Sequence, residues 1–312
     1  MLNGAEPGFT VDIGENAGET LRNACTEITS RDDSDVCNLG HINMARCRDL
    51  YEFRECIHDI TLLLLCGTLY GSLPFEEVHE TRKKNRRLGV GLMGVATWQA
   101  LRGYQYGPNP ELSEWLHYYK TDTKYWADYY SEKLGINAPV KTRAIAPTGT
   151  TSIGCETSSG IEPVFCVAYK RWFYTRDTTG KEVRQYQYVI DSLAKMLIDI
   201  GVKPGEIEDA YTLAGDIERR LKMQSFIQEY VDHGISSTIN LPPFSGREED
   251  VKQFGNLLIK YLPELRGITV YPDGCRAGQP LMRVPYKEAL GKEGQVFEDH
   301  SDRSCISGIC GM

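Results

Sequence analysis

The stretch R-A-I-A-P-T-G-T-T-S, residues 143–152, sets the fold class of this 312-residue chain. R-A-I-A-P reads as a short strand, and T-G-T-T-S follows at once into a helix start. Around this join, strand and helix signals alternate. D-V-C-N-L-G-H-I-N-M (35–44) has the alternation of a strand, 55–70 reads as a buried helix and 112–134 as an aromatic-rich one. The spacing predicts amphipathic helices over 183–201 and 215–233, and a strand over 235–240 stopped by Pro242 and Pro243. A helix over 247–262 and a strand over 268–271 follow. Strands alternating with helices give an α/β class. The same decapeptide has the makings of an anion site. Gly149 lets backbone approach a phosphate, and the helix start offers N–H groups beside the hydroxyls of Thr148, Thr150, Thr151 and Ser152. A helix N-cap with a polar loop explains these residues equally well.

Upstream lies R-N-A-C-T-E-I, residues 22–28, in a segment (20–30) that could be extended or a loop. On an extended backbone, Asn23, Cys25 and Glu27 face one side at steps of roughly 7 Å, so an amide, a thiol and a carboxylate can meet one small molecule. Cys37 follows twelve residues after Cys25, close enough to return to it in a hairpin-like excursion. At the far end, S-C-I-S-G-I-C-G-M (304–312) carries Cys305 and Cys310 in a Gly-containing, polar segment. A structural disulfide there would stabilise little, whereas a redox pair that moves between sites gains from access. Together these features describe thiol chemistry on a phosphorylated substrate, with electrons delivered by a tail.

Composition narrows the alternatives. Net charge is −8, from 35 Lys plus Arg against 43 Asp plus Glu, which argues against a duplex nucleic-acid binder. The longest apolar run, around Leu62 to Cys66, is too short for a membrane span, and the N-terminus lacks the blocks of a signal peptide. A cytoplasmic protein with reduced thiols is expected. The ten cysteines show no C-x2-C pair, so a zinc site is not expected. Cys56 and Cys66 read as small buried hydrophobes. R-K-K-N-R-R (82–87) reads as a solvated basic face without chemistry. L-G-V-G-L-M-G (88–94) reads as glycines for close helix packing rather than a dinucleotide fingerprint.

Six stretches in order carry a family resemblance: N-A-C-T-E-I, D-V-C-N-L-G-H-I-N, R-R-L-G-V-G-L-M-G, A-P-T-G-T-T-S with G-I-E-P (160–163), M-Q-S-F-I-Q-E-Y-V-D-H-G-I-S-S-T-I-N-L-P (223–242) and the C-x4-C tail. The chain resembles the C-terminal half of a ribonucleotide reductase catalytic subunit. The resemblance implies a ten-stranded α/β barrel built from two five-stranded halves. This chain would supply the second half over residues 1–283, with its catalytic cysteine on an inner finger loop, and a flexible redox tail over 284–312. Cys25 resembles the cysteine whose thiyl radical abstracts the ribose 3′-hydrogen, Glu27 the base for the 3′-hydroxyl, and Asn23 the amide that orients the ribose hydroxyls. Cys37 resembles one of two cysteines that reduce the 2′-carbon. Thr148, Gly149, Thr150, Thr151 and Ser152 resemble the phosphate grip. Cys305 and Cys310 resemble the pair that re-reduces the active site and hands oxidation to a thioredoxin-type protein. Ala24 and Thr26 stand where Pro and Gly are commonest in the family.

The resemblance begins just before the finger loop. It therefore implies a split enzyme, with a second polypeptide supplying the N-terminal half-barrel and the partner of Cys37. Tyr271 is followed by Pro272, so the adjacent tyrosines of members with a metal-containing radical subunit are absent. With the short gap from Cys25 to Cys37, this implies adenosylcobalamin as cofactor and a ribonucleoside di- or triphosphate as substrate. The same reaction with a radical from a metal subunit, or a catalytically silent assembly or regulatory subunit, are the alternatives.

Overall fold

A computed structural model describes residues 9–12, 17–176, 178–243, 245–273 and 281–298. The chain opens with β1 (Phe9–Thr10) and a small hairpin, β2 (Leu21–Arg22) and β3 (Thr29–Ser30). Next come β4 (Asn38–Asn43), α1 (Leu50–Tyr70), α2 (Glu76–Asn85) and β5 (Leu88–Met93), then α3 (Val95–Leu101), α4 (Pro110–Leu134) and the short α5 (Gly149–Gly154). A hairpin of β6 (Ala168–Arg176) and β7 (Glu182–Ile190) precedes α6 (Ser192–Asp199), α7 (Ala210–Leu213) and α8 (Ile217–Gln228). The series closes with β8 (Thr238–Leu241), α9 (Glu248–Tyr261), β9 (Gly267–Pro272), β10 (Leu281–Arg283), α10 (Tyr286–Ala289) and β11 (Val296–Glu298).

Five parallel lanes form the centre. β4 pairs in register with β5, and β8 with β9. Residues 141–146 join the two pairs through parallel bridges from Arg143 to Val90 and from Ile145 to Ile235. Hydrogen bonds from Val90 N to Thr142 O (2.9 Å) and from Ser236 N to Ile145 O (2.8 Å) complete the array. The α/β class therefore holds. No closed barrel forms among the described residues. The outer edge of β4 has no strand partner there, and that of β9 is covered only by the two antiparallel residues of β1. Among these residues no helix is long and apolar enough to cross a membrane.

Helices α1 and α4 pack over the array around a core with Phe53, Leu65, Trp98, Leu112, Leu116 and Tyr119 fully buried. Their ends are written in the sequence. The Asp49 side chain accepts from Glu52 N and that of Asn109 from Leu112 N, with Pro110 in the first turn and Gly135 left-handed at φ 64°.

The structure corrects four expectations. L-G-V-G-L-M is β5, buried on every residue, because a strand covered on both faces reads as a near-continuous apolar run. Its glycines admit side chains from β4: a Cβ on Gly89 would lie 2.2 Å from Leu39 Cδ2, and one on Gly91 2.3 Å from His41 Nε2. The basic run is not a solvated face, since Arg82, Asn85, Arg86 and Arg87 are buried. Residues 183–190, expected to be helical, pair with β6 along their length, where Val183, Tyr186, Tyr188, Val189 and Ile190 favour a strand. Asp191 then caps the shorter helix α6 by accepting from Leu193 and Ala194 N–H groups. Over 215–233 the helix is confined to α8, because Asp232 turns its carboxylate to the backbone N–H groups of Thr142 and Arg143.

Beyond β9, β10 and β11 flank the β6–β7 hairpin in a four-stranded antiparallel sheet. Val284 and Ala289 are buried against it, and Val296–Glu298 pair with β7, while 290–296 are exposed. Cys305 and Cys310 lie outside the described residues.

Candidate active site

The loop joining β2 to β3 carries Asn23, Cys25 and Glu27. It is a turn, which decides for the loop reading over the extended one. Thr26 is left-handed at φ 68° and its N–H donates to Asn23 O at 3.0 Å, while Ile28 N–H donates to Asn23 Oδ1 at 3.0 Å. The three residues therefore do not share one strand face: Cys25 is exposed at the turn and Glu27 is buried. The turn still brings their chemistry together. The Asn23 amide lowers the Glu27 pKa against the effect of burial, and the charge of Glu27 raises that of the Cys25 thiol.

The loop is seated on the fourth lane. Gly234 N–H donates to Glu27 O at 2.6 Å, and Ile145 N–H to Gly234 O at 3.2 Å. A Cβ at Gly234 would meet Glu27 O and Thr26 O at 3.1 Å, so glycine permits the contact. Next to it, the Thr29 N–H lies 3.3 Å from Nδ1 of the fully buried His233. Burial raises the Glu27 pKa, opposed by its own backbone N–H and by Asn23. Glu27 Oε2 is buried with no hydrogen-bond partner. An orphan carboxylate oxygen at a loop is an acceptor ready for a hydroxyl from outside the chain.

Cys37 stands at the head of β4, its sulfur 3.3 Å from where a Gly89 Cβ would be. A cleft of about 350 Å³ is lined by Cys37, Asn23, Ile28 and Asp35. Cys25 does not line it. Burial pushes the Cys37 thiol well up, Arg87 opposes, and Asp35, Asp232 and Glu27 add to the rise, so Cys37 holds its proton. Behind it is a charged brace that sequence reasoning missed. Asp35 Oδ2 accepts from Arg87 Nε (2.5 Å), Ser30 Oγ (2.7 Å) and Asn85 Nδ2 (2.8 Å). Glu19 lies 3.7 Å from Arg87 and also binds Lys141 and Thr29. The signal was the run at 82–87, whose final Arg is followed immediately by a buried strand.

The 148–152 loop leaves the C-terminal end of the third lane. Thr148 is left-handed at φ 54° and its Oγ1 accepts from Gly160 N at 2.9 Å. Ser152 is buried, its hydroxyl 2.9 Å from Ser159 Oγ, so both are spent on holding the loop. Gly149, Thr150 and Thr151 remain exposed, and nothing lies within 4 Å of a Gly149 Cβ. His41 Nε2 accepts from Ala146 N at 2.9 Å and fixes the chain two residues before Thr148. Gly234 carries Glu27 and is bonded to Ile145, three residues before Thr148, so the turn and the 148–152 loop are tied to neighbouring lanes.

Among the described residues no cluster of His, Cys, Asp and Glu is arranged to hold a metal ion.

The family model "Ribonucleotide reductase, barrel domain" matches residues 19–136 and 114–271. A vitamin B12-dependent ribonucleoside-diphosphate reductase of Mycobacterium tuberculosis is 27% identical over 311 residues, covering 86% of this chain and 44% of the relative. An adenosylcobalamin-dependent ribonucleoside-triphosphate reductase of Euglena gracilis is 25% identical over 297 residues, covering 89% and 38%. A crystal structure of a B12-dependent, class II ribonucleotide reductase superposes with a TM-score of 0.71 at 17% identity, covering 92% of this chain and 46% of that one. The chain spans half the length, or less, of these relatives.

Proposed function

The chain belongs to the ribonucleotide reductase family, and from that premise we propose that it is the C-terminal half of a split, adenosylcobalamin-dependent enzyme that reduces ribonucleotides to 2′-deoxyribonucleotides. The observation that carries this is the turn at 23–28: an exposed thiol, a buried carboxylate with an unpartnered oxygen, and an amide whose Oδ1 accepts from the Ile28 N–H of the same turn.

In this reading the Glu27 oxygen accepts the ribose 3′-hydroxyl, and its raised pKa makes it the stronger base for that proton. Asn23 holds the turn through the Ile28 N–H and orients the ribose hydroxyls, a positioning role. Cys25 keeps its hydrogen, because partial desolvation at the turn and the charge of Glu27 both raise its pKa, and its exposure suits exchange with a radical source outside the chain. Its thiyl form takes the 3′-hydrogen. Cys37, also protonated, donates toward the 2′-carbon with a second cysteine from the partner polypeptide. Thr150, Thr151 and the Gly149 backbone face the phosphates, with Thr148 and Ser152 holding that loop in shape. Cys305 and Cys310 re-reduce the Cys37 disulfide and pass its oxidation to a thioredoxin-type reductant.

Adenosylcobalamin, when bound, supplies the organic radical; the residue of this chain that answers to it is Cys25. The exposed, protonated thiol fits that demand. Among the described residues the β4 edge of the five parallel lanes has no strand partner, and an open edge invites one, which supports a second half-barrel docking there. The partner polypeptide would complete the ten-stranded barrel there.

The test is anaerobic ribonucleotide reduction by this chain together with the polypeptide that co-purifies with it, with and without adenosylcobalamin. Cobalamin-dependent deoxyribonucleotide formation by the pair, and none by either alone, is expected. Activity only with an added metal subunit would overturn the cofactor, and activity of this chain alone would overturn the split.

A further inference from the structure

Five cations stand in the run at 82–87. Three have a carboxylate partner: Lys83 with Glu80 at 2.6 Å, Lys84 with Asp32 at 2.8 Å and Arg87 with Asp35 at 2.5 Å. Arg82 and Arg86 have none among the described residues, although they are only 7% and 8% exposed. The last turn of α1 draws both guanidiniums to one place. Arg82 Nη1 donates to Gly71 O at 2.5 Å and Arg86 Nη1 to Thr68 Oγ1 at 3.2 Å. Thr68 and Gly71 are three residues apart, about 4.5 Å along the helix axis. The Nε of each arginine is buried with no hydrogen-bond partner. Arg82 Nη2 donates to His79 Nδ1 at 3.2 Å, so the proton of the neutral ring sits on Nε2 as a further donor.

A buried charge is paired or it destabilises the fold. The C-terminal end of α1 offers about half a negative charge, which answers part of one guanidinium and leaves the second unbalanced. Burial lowers the Arg86 pKa and Arg82 lowers it further, with no acid opposing them. We propose that Arg82 and Arg86 form an oxyanion site at the C-terminal end of α1, and that it takes a phosphate group. Near neutral pH a phosphate group carries up to about two negative charges and several acceptor oxygens. One such dianion balances both guanidiniums, whereas a single carboxylate balances one. The site is separate from the candidate substrate loop. Arg86 lies two residues before β5, at the N-terminal ends of the parallel lanes, and residues 148–152 leave the C-terminal end of the third lane.

The test uses the full-length chain and radiolabelled inorganic phosphate, with binding read by equilibrium dialysis. Thermal unfolding is followed in phosphate and in sodium chloride of equal ionic strength. The wild type should bind phosphate and unfold at a higher temperature in it. Arg82→Met and Arg86→Met keep an apolar stem and drop the charge. Each should weaken binding by about tenfold or more and lose the phosphate-dependent shift. The double variant Thr150→Val/Thr151→Val alters the candidate substrate loop and should keep both the binding and the shift, which separates this site from the reading of that loop. In the same double variant, displacement of the label by a nucleoside monophosphate would identify an esterified phosphate as the ligand, and displacement by unlabelled inorganic phosphate alone would identify the free anion. Absence of phosphate binding in the Thr150→Val/Thr151→Val variant would overturn the proposal. So would a phosphate-dependent shift in Arg82→Met and Arg86→Met equal to that of the wild type, because the arginines would then be caps of α1 and nothing more.

Discussion

Acidification should destabilise this chain through His41, a residue that also holds the candidate phosphate loop in place. Burial lowers the His41 pKa from 6.5 to about 4. The folded state binds the proton more weakly than the unfolded state, so the unfolded state gains as pH falls from 6.5 towards 4, and the stabilisation is fully present only above 6.5. At about 1.4 kcal/mol per pH unit, the gap amounts to about 3 kcal/mol. Protonation also removes the acceptor at Nε2 for the Ala146 N–H, at the root of residues 148–152. The assay is urea unfolding at half-unit steps from pH 7.5 to 4, for the wild type and His41→Gln, which keeps an acceptor but does not titrate. The wild type should lose about 3 kcal/mol more than the variant across that window. Equal losses would refute the reasoning, because the acid sensitivity would then belong to other groups; His233, also held neutral by burial, contributes with the same sign in both proteins.

Glu27→Gln removes the base while keeping the shape, and should lower turnover of the assembled enzyme by about 10²- to 10⁴-fold with little change in nucleotide affinity, read by steady-state kinetics and equilibrium binding. Gly234→Ala sets a methyl 3.1 Å from the Glu27 and Thr26 carbonyls; it should cost about 1–3 kcal/mol in denaturant titration and reduce turnover by displacing the loop. Arg87→Ala strands the buried Asp35 and should cost about 3–5 kcal/mol, read as a lower midpoint of thermal unfolding. Changing both Cys305 and Cys310 to Ser should stop turnover with a thioredoxin-type reductant and spare it with a small dithiol; equal loss with both would remove the tail from the electron path.

Local signals in the sequence determined much of this protein. Asp49, Asn109, Pro110 and Gly135 set the limits of α1 and α4, because caps act within a few residues. The six ordered stretches were enough for the family, and the residue types at 23, 25 and 27 were enough to name an amide, a thiol and a carboxylate. Tertiary structure decided where those groups stand. The alternation of Asn23, Cys25 and Glu27 suggests an extended run, but a left-handed Thr26 and the seat on Gly234 make it a turn that exposes the thiol and buries the carboxylate. No local pattern reports that contact, which spans about two hundred residues of chain. The same holds for the run at 82–87: its charge reads as solvent-facing until Asp35 and Glu19 arrive from elsewhere to bury Arg87. The glycines of β5 likewise carry no strand signal of their own, because they make room for Leu39 and His41 on the neighbouring strand. Short-range backbone preferences are visible in a sequence; which distant groups share a desolvated site depends on the packing that brings the lanes together.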